Sequence, residues 1–129
     1  MTGFLADTHV LIWWWHDDDR LSSSARAILA DSAARIFVPT VCAWEIANKV
    51  RIGKLPQMAP FVDRYDALVS ADGFLHLDLR YDHALRAGAL AGDHRDPFDR
   101  LIAAQALIEK LAVVTSDRAF ADFGCDVLW

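Results

Sequence analysis

HRDPFDRLIAAQALIEKLAVVTSD, residues 94–117, reads as a helix that feeds a strand and leaves an acid at the strand's end. Asp96 and Pro97 have the N-cap and N1 chemistry that starts a helix. A nearly all-apolar run follows over 97–110, with Asp99 on the face that carries Ile102, Ala103 and Ala106. AVVTS (112–116) reads as a strand, and Asp117 stands beyond it. One aspartate before a helix is ordinary capping. The second, inside the first turn and heading an apolar stripe, is not demanded by capping.

The same alternation extends outward in both directions. GFLA (3–6) is a short buried strand ending at Asp7, and THVLIWWW follows as a helix. After the polar loop DDDR (17–20), SSSARAILADSAA (22–34) is a helix with a serine N-cap. RIFVP (35–39) is a strand stopped by Pro39. Thr40 then caps the helix VCAWEIANKVRI, which ends at Gly53. MAPFVDRYDALVSA (58–71) is one amphipathic helix ending near Gly73. FLHLDL (74–79) is a strand and YDHALRAGALA a helix. DRAFADFG makes a short helical turn and CDVLW a final strand. Strands alternating with helices predict an α/β fold, a mostly parallel sheet of four to five strands covered on both faces. The 129 residues suffice for one domain, expected to span 1–129. In open sheets of this kind, ligands sit beyond the carboxyl ends of the strands.

Composition narrows the function. The formal net charge is −5, the wrong sign for a non-specific nucleic-acid coat. A polyanionic partner must meet bound cations or a local basic patch, and Lys49, Arg51 and Lys54 form the visible one. Cys42 and Cys125 lie in no metal-ligand or CxxC pattern and read as reduced thiols of a cytoplasmic protein. Asp7 and His9 interrupt the apolar N-terminal stretch, which does not read as a signal peptide. No apolar run approaches the roughly 20 residues of a membrane span.

Four acids meet the strand-end criterion: Asp7 and Asp117 after strands, Asp99 and Glu45 near the starts of helices. Each has a structural reading. Asp7, Asp96 and Asp117 are good N-caps. Glu45 precedes Lys49 by four residues, the favourable order for a helix ion pair. Taken together they point elsewhere. Carboxylates converging at one sheet edge repel, and partial burial makes each costly. A divalent cation removes both problems, and Mg²⁺ and Mn²⁺ prefer oxygen ligands. The acids predict metal-dependent phosphoester hydrolysis.

FLADTHVLIWWW, VPTVCAWEIANKVRIGKL, DHRDPFDRLIAAQAL, VVTSDRAF and the terminal DVLW together resemble PIN-domain ribonucleases of the VapC toxin type, over essentially the whole chain. The resemblance implies an α/β/α sandwich and an endoribonuclease, dependent on Mg²⁺ or Mn²⁺, that acts on single-stranded RNA. It implies the toxin half of a type II toxin–antitoxin pair, with a VapB-type antitoxin as partner and pairing of the chain with itself. Matched by position, the family's acids fall on Asp7, Glu45, Asp99 and Asp117. Asp7, Asp99 and Asp117 would hold the cation, and Glu45 would complete the shell or orient the attacking water. Thr115 or Ser116 matches a hydroxyl position. A 5′-phosphate and a 3′-hydroxyl are the implied products. The alternative is a catalytically inactive RNA- or protein-binding module of the same fold.

Other features read as follows. His94, beside Arg95, reads as an exposed loop histidine without a role, favoured over a contact to substrate phosphate. Arg100 either reaches a phosphate or pairs with a nearby acid. Lys49, Arg51 and Lys54 read as a solvated helix end. Trp13, Trp14 and Trp15 are consecutive, so at least one nears the surface, where a protein interface is favoured over base stacking.

Overall fold

The computed structural model describes residues 3–129. Five strands form one sheet: β1 (Gly3–Ala6), β2 (Arg35–Pro39), β3 (Leu75–Leu77), β4 (Ala112–Val114) and β5 (Val127–Leu128). Their order across the sheet is β3-β2-β1-β4-β5, and every pairing is parallel. β1 is central, with Leu5 beside Phe37 of β2 on one side and Val113 of β4 on the other. Leu5, Val38, Val113 and Val114 are fully buried, as a parallel sheet covered on both faces requires.

The helices that cover it are α1 (Thr8–Trp15), α2 (Ser23–Ala30), α3 (Thr40–Arg51), α4 (Ala59–Val62), α5 (Tyr65–Ala71), α6 (Tyr81–Ala89), α7 (Pro97–Glu109) and α8 (Ala119–Asp122). Leu11, Ile102, Ala103 and Phe120 carry them onto the core. α8 is a single turn, too short to hold itself. The fully buried Phe120 anchors it, and a side chain of that size contributes about 3–5 kcal/mol against truncation. Among the described residues no helix is long and apolar enough to cross a membrane.

The predicted alternation is present, with local differences. The expected helix over 58–71 is broken into a 3₁₀ turn (Pro56–Met58), α4 and α5. At Arg64 the backbone leaves helical values (φ −114°, ψ 15°) and its amide bonds back to Phe61 O at 3.1 Å. The helix expected over 22–34 stops at Ala30, because the Asp31 carboxylate takes the Ala33 amide at 2.9 Å and turns the chain. Thr40 does not cap α3. Pro39 holds that position, and the Thr40 hydroxyl instead donates to Leu77 O at 3.1 Å, tying α3 to the end of β3. β3 and β4 are each shorter than expected, so Asp117 stands three residues beyond β4. The predicted helix stop at Gly53 holds, where the chain needs a positive φ of 80°.

Candidate active site

The chain builds β1, β2 and β3 toward one edge of the sheet, then returns to lay β4 and β5 on the other side of β1. Between β1 and β4 the order therefore reverses, which opens a crevice beyond the strands' carboxyl ends. Asp7 leaves β1 there, and Thr115, Ser116 and Asp117 follow β4. The second turn of α3 and the first turn of α7 bring in Glu45 and Asp99. A cleft of about 430 Å³ is lined by all four predicted acids.

Asp7 is the most constrained. It is 6% exposed. Its Oδ1 accepts the Thr8 amide at 2.8 Å, which caps α1, and its Oδ2 accepts the Thr115 hydroxyl at 2.9 Å. Burial nevertheless pushes its pKa up to about 7, with the charges of Asp99 and Glu45 adding to the rise. The two hydrogen bonds oppose that rise without cancelling it.

Glu45, 7% exposed, accepts the Thr8 hydroxyl on Oε1 at 2.8 Å and Lys49 Nζ on Oε2 at 2.6 Å. The helix ion pair of the sequence analysis thus exists, but on a buried carboxylate facing the cleft. Thr8 joins the two acids, its amide on Asp7 and its hydroxyl on Glu45. That hydroxyl also lies 3.2 Å from Cys42 Sγ. Cys42 and Cys125 are both free and buried.

Asp99 is half-buried. Asp96 caps α7 by accepting the amides of Phe98 at 2.9 Å and Asp99 at 3.3 Å. That leaves the Asp99 carboxylate free of capping, and its Oδ2 lies 2.8 Å from His94 Nε2. Burial holds the Asp99 pKa above the usual range, against the bond to His94 and with Asp96 and Asp117 repelling it. Asp117 is exposed. Its Oδ1 accepts the Ala119 amide at 2.9 Å, and its own amide donates to Thr115 Oγ1 at 3.0 Å.

Five carboxylates therefore face the cleft: Asp7, Glu45, Asp96, Asp99 and Asp117. Among the described residues Lys49 is the lone ammonium in the lining, and it is committed to Glu45. An excess of anionic oxygen donors with a raised carboxylate pKa is the donor set that a hard divalent cation fits. Among the described residues, His94, Asp99 and Asp117 each offer a ligand atom such that all lie within 4.8 Å of one another. Asp7 and Glu45 stand outside that group, in the same cleft. His9, Val10 and Trp13 supply a less polar wall.

Sequence reasoning misread His94 and left Arg100 open. His94 is not a free loop residue, since it bonds Asp99 and packs edge-on against Phe123 at 5.6 Å. Among the described residues Arg100 pairs with carbonyl oxygens and not with an acid. It donates to Ala87 O at 3.1 Å, to His94 O at 2.9 Å and to Leu90 O, clamping the loop before α7. Thr115, one of the two candidates for the hydroxyl position, donates to Asp7, whereas the Thr8 hydroxyl, which donates to Glu45, went unread. The three tryptophans are all half-buried. Trp14 and Trp15 both donate to Asp72 Oδ2, at 3.1 and 2.9 Å, and Trp13 lies against Trp129 at 5.8 Å.

Comparison with known proteins follows the same geometry. The family model of the PIN domain matches residues 4–124. No curated protein matches in sequence. Among solved structures, VapBC2 from Rickettsia felis bound to a promoter DNA fragment is similar at TM-score 0.71 and 17% identity, covering 98% of each chain. A toxin–antitoxin complex from Klebsiella pneumoniae is similar at TM-score 0.67 and 19% identity, over 97% of this chain and 95% of that one. VapBC-1 from nontypeable Haemophilus influenzae is similar at TM-score 0.67 and 14% identity, over 98% and 97%. At these identities the likeness is one of fold.

Proposed function

The chain belongs to the PIN domain family, and from that membership we propose that it is a divalent-metal-dependent endoribonuclease, the toxin of a type II toxin–antitoxin pair, cutting single-stranded regions of RNA. The observation that carries this reading is the convergence of Asp7, Glu45, Asp99 and Asp117 on one cleft at the switch point of the sheet. The structural neighbours that are toxin–antitoxin complexes support a VapB-type antitoxin as partner. The reading carries with it a homodimer and a cytoplasmic site of action.

Asp7, Asp99 and Asp117 would hold Mg²⁺ or Mn²⁺. When bound, the cation supplies charge neutralisation on the phosphodiester and acidification of a water. The remaining work falls to the chain. Thr115 and Thr8 fix the Asp7 carboxylate, so its oxygens need no reorientation. Glu45 faces the cleft with one oxygen on Thr8 and one on Lys49, and it orients the attacking water. Lys49 balances Glu45 on the wall of the cleft. His9, Val10 and Trp13 form the wall against which an unpaired base would rest.

Purified protein, free of antitoxin, is expected to cleave single-stranded RNA with Mg²⁺ or Mn²⁺. EDTA, Asp7→Ala and Asp99→Ala should each abolish cleavage. Cleavage that survives both substitutions overturns the site. Toxicity retained by Asp99→Ala, with no RNA cut by the wild type, identifies the inactive binding module instead.

A further inference from the structure

We propose that His94, which lines the loop pocket adjoining the cleft, is a nitrogen ligand to the cation held at Asp99 and Asp117, a mixed nitrogen–oxygen centre that takes Mn²⁺ in preference to Mg²⁺. The inference rests on the metal-dependent reading above and adds a donor that reading does not contain. Its basis is spacing. Neighbouring ligands around an octahedral ion with bonds of about 2.1 Å are about 3 Å apart, and opposed ligands about 4.2 Å apart. His94 Nε2 and Asp99 Oδ2 are 2.8 Å apart, the separation of neighbouring ligands. Asp117 brings a third donor, with all three ligand atoms inside 4.8 Å.

The histidine is also held in place. Its ring meets Phe123 edge-on, with an interplanar angle of 81°. Its carbonyl accepts Arg100 Nη1 at 2.9 Å, and the Arg100 guanidinium lies over the same Phe123 ring at 5.5 Å. Loop and ring are thus fixed from two sides by α7 and the end of α8, a preorganisation that a solvated histidine would lack. Both ions take carboxylate oxygen, but Mn²⁺, as a first-row transition ion, accepts an added imidazole nitrogen more readily than Mg²⁺ does.

The test is electron spin echo spectroscopy of the full chain loaded with Mn²⁺, which detects coupling to a directly bound ¹⁴N. Wild-type protein should show that coupling. Protein labelled with ¹⁵N-histidine should show the ¹⁵N pattern in its place, with no substitution made. His94→Gln keeps a hydrogen-bond donor for Asp99 but removes the imidazole. It should lose the coupling and bind Mn²⁺ about tenfold or more weakly, with a smaller change for Mg²⁺. Mn²⁺ bound to wild type without nitrogen coupling overturns the ligand assignment and leaves the nuclease reading standing. Coupling retained by His94→Gln also overturns it, and moves the nitrogen to another histidine. A folded wild-type protein that binds no Mn²⁺ overturns both.

Discussion

Asp7 and Thr115 are 108 residues apart in the chain, and the Thr115 hydroxyl donates to Asp7 Oδ2 at 2.9 Å. The same oxygen of Thr115 accepts the Asp117 amide at 3.0 Å. One buried hydroxyl thus registers the ends of β1 and β4 against each other. Thr115→Val removes both bonds and leaves a buried carboxylate short of a donor. It should cost about 2–3 kcal/mol in urea denaturation, because bonds to charged groups lie at the strong end. Thr115→Ser should restore most of that. Equal stability of the valine variant would show that water replaces the hydroxyl.

Stability should depend on pH through Asp7. Burial raises its pKa from 3.8 to about 7 in the folded chain, so the folded state binds this proton more tightly than the unfolded state. The associated stabilisation is fully present below the unfolded pKa and is lost as pH rises through the folded one. Three units correspond to about 4 kcal/mol. In EDTA, Asp7→Asn should match wild type near pH 4 and exceed it progressively up to about pH 7. Urea midpoints measured across that window check the sign. A difference that does not grow with pH removes Asp7 as the source.

The two aspartates that open α7 should separate cleanly. Asp96 accepts two amides, and asparagine caps a helix equally well. Asp96→Asn should keep the melting temperature and most of the RNA cleavage. Asp99→Asn should fold, since Asp99 caps nothing, and should lose cleavage by a factor of about 100 or more. Similar activity losses in both would mean that the pair acts as one acidic cluster.

Arg100 is expected to matter to the loop, not to the substrate. Its guanidinium satisfies the carbonyls of Ala87, Leu90 and His94. Arg100→Met keeps the apolar stem and drops all three bonds. A loss of about 1–3 kcal/mol is expected, with faster amide exchange confined to residues 88–95. Unchanged exchange there would place the clamp's energy elsewhere.

The sequence carried the parts of the fold that are encoded locally. Alternating strands and helices predicted the parallel sheet, and the strand-end rule selected Asp7 and Asp117 before any geometry was known. Asp96-Pro97 announced the start of α7 through chemistry confined to four residues. The order β3-β2-β1-β4-β5 was not legible, because short strands of similar composition pair equally well on paper. The break at Arg64 was hidden inside an apolar periodicity that spans it. His94 was missed for a different reason. It lies only five residues from Asp99, but a loop has no period from which a side chain's direction can be read. The hydroxyl of Thr8 acts on α3 and that of Thr115 on the end of β1, and these partners become visible only once the elements are placed.

The central place of β1 has a consequence for how the molecule comes into being. On the ribosome Asp7 emerges well before β4 and Thr115, the strand and the hydroxyl it pairs with. Until β4 is released, β1 has a sheet partner on one flank only. A nascent or truncated chain ending before β4 therefore has no cleft at all. For the toxin proposed above, the topology itself delays the hazard until β4 has been made.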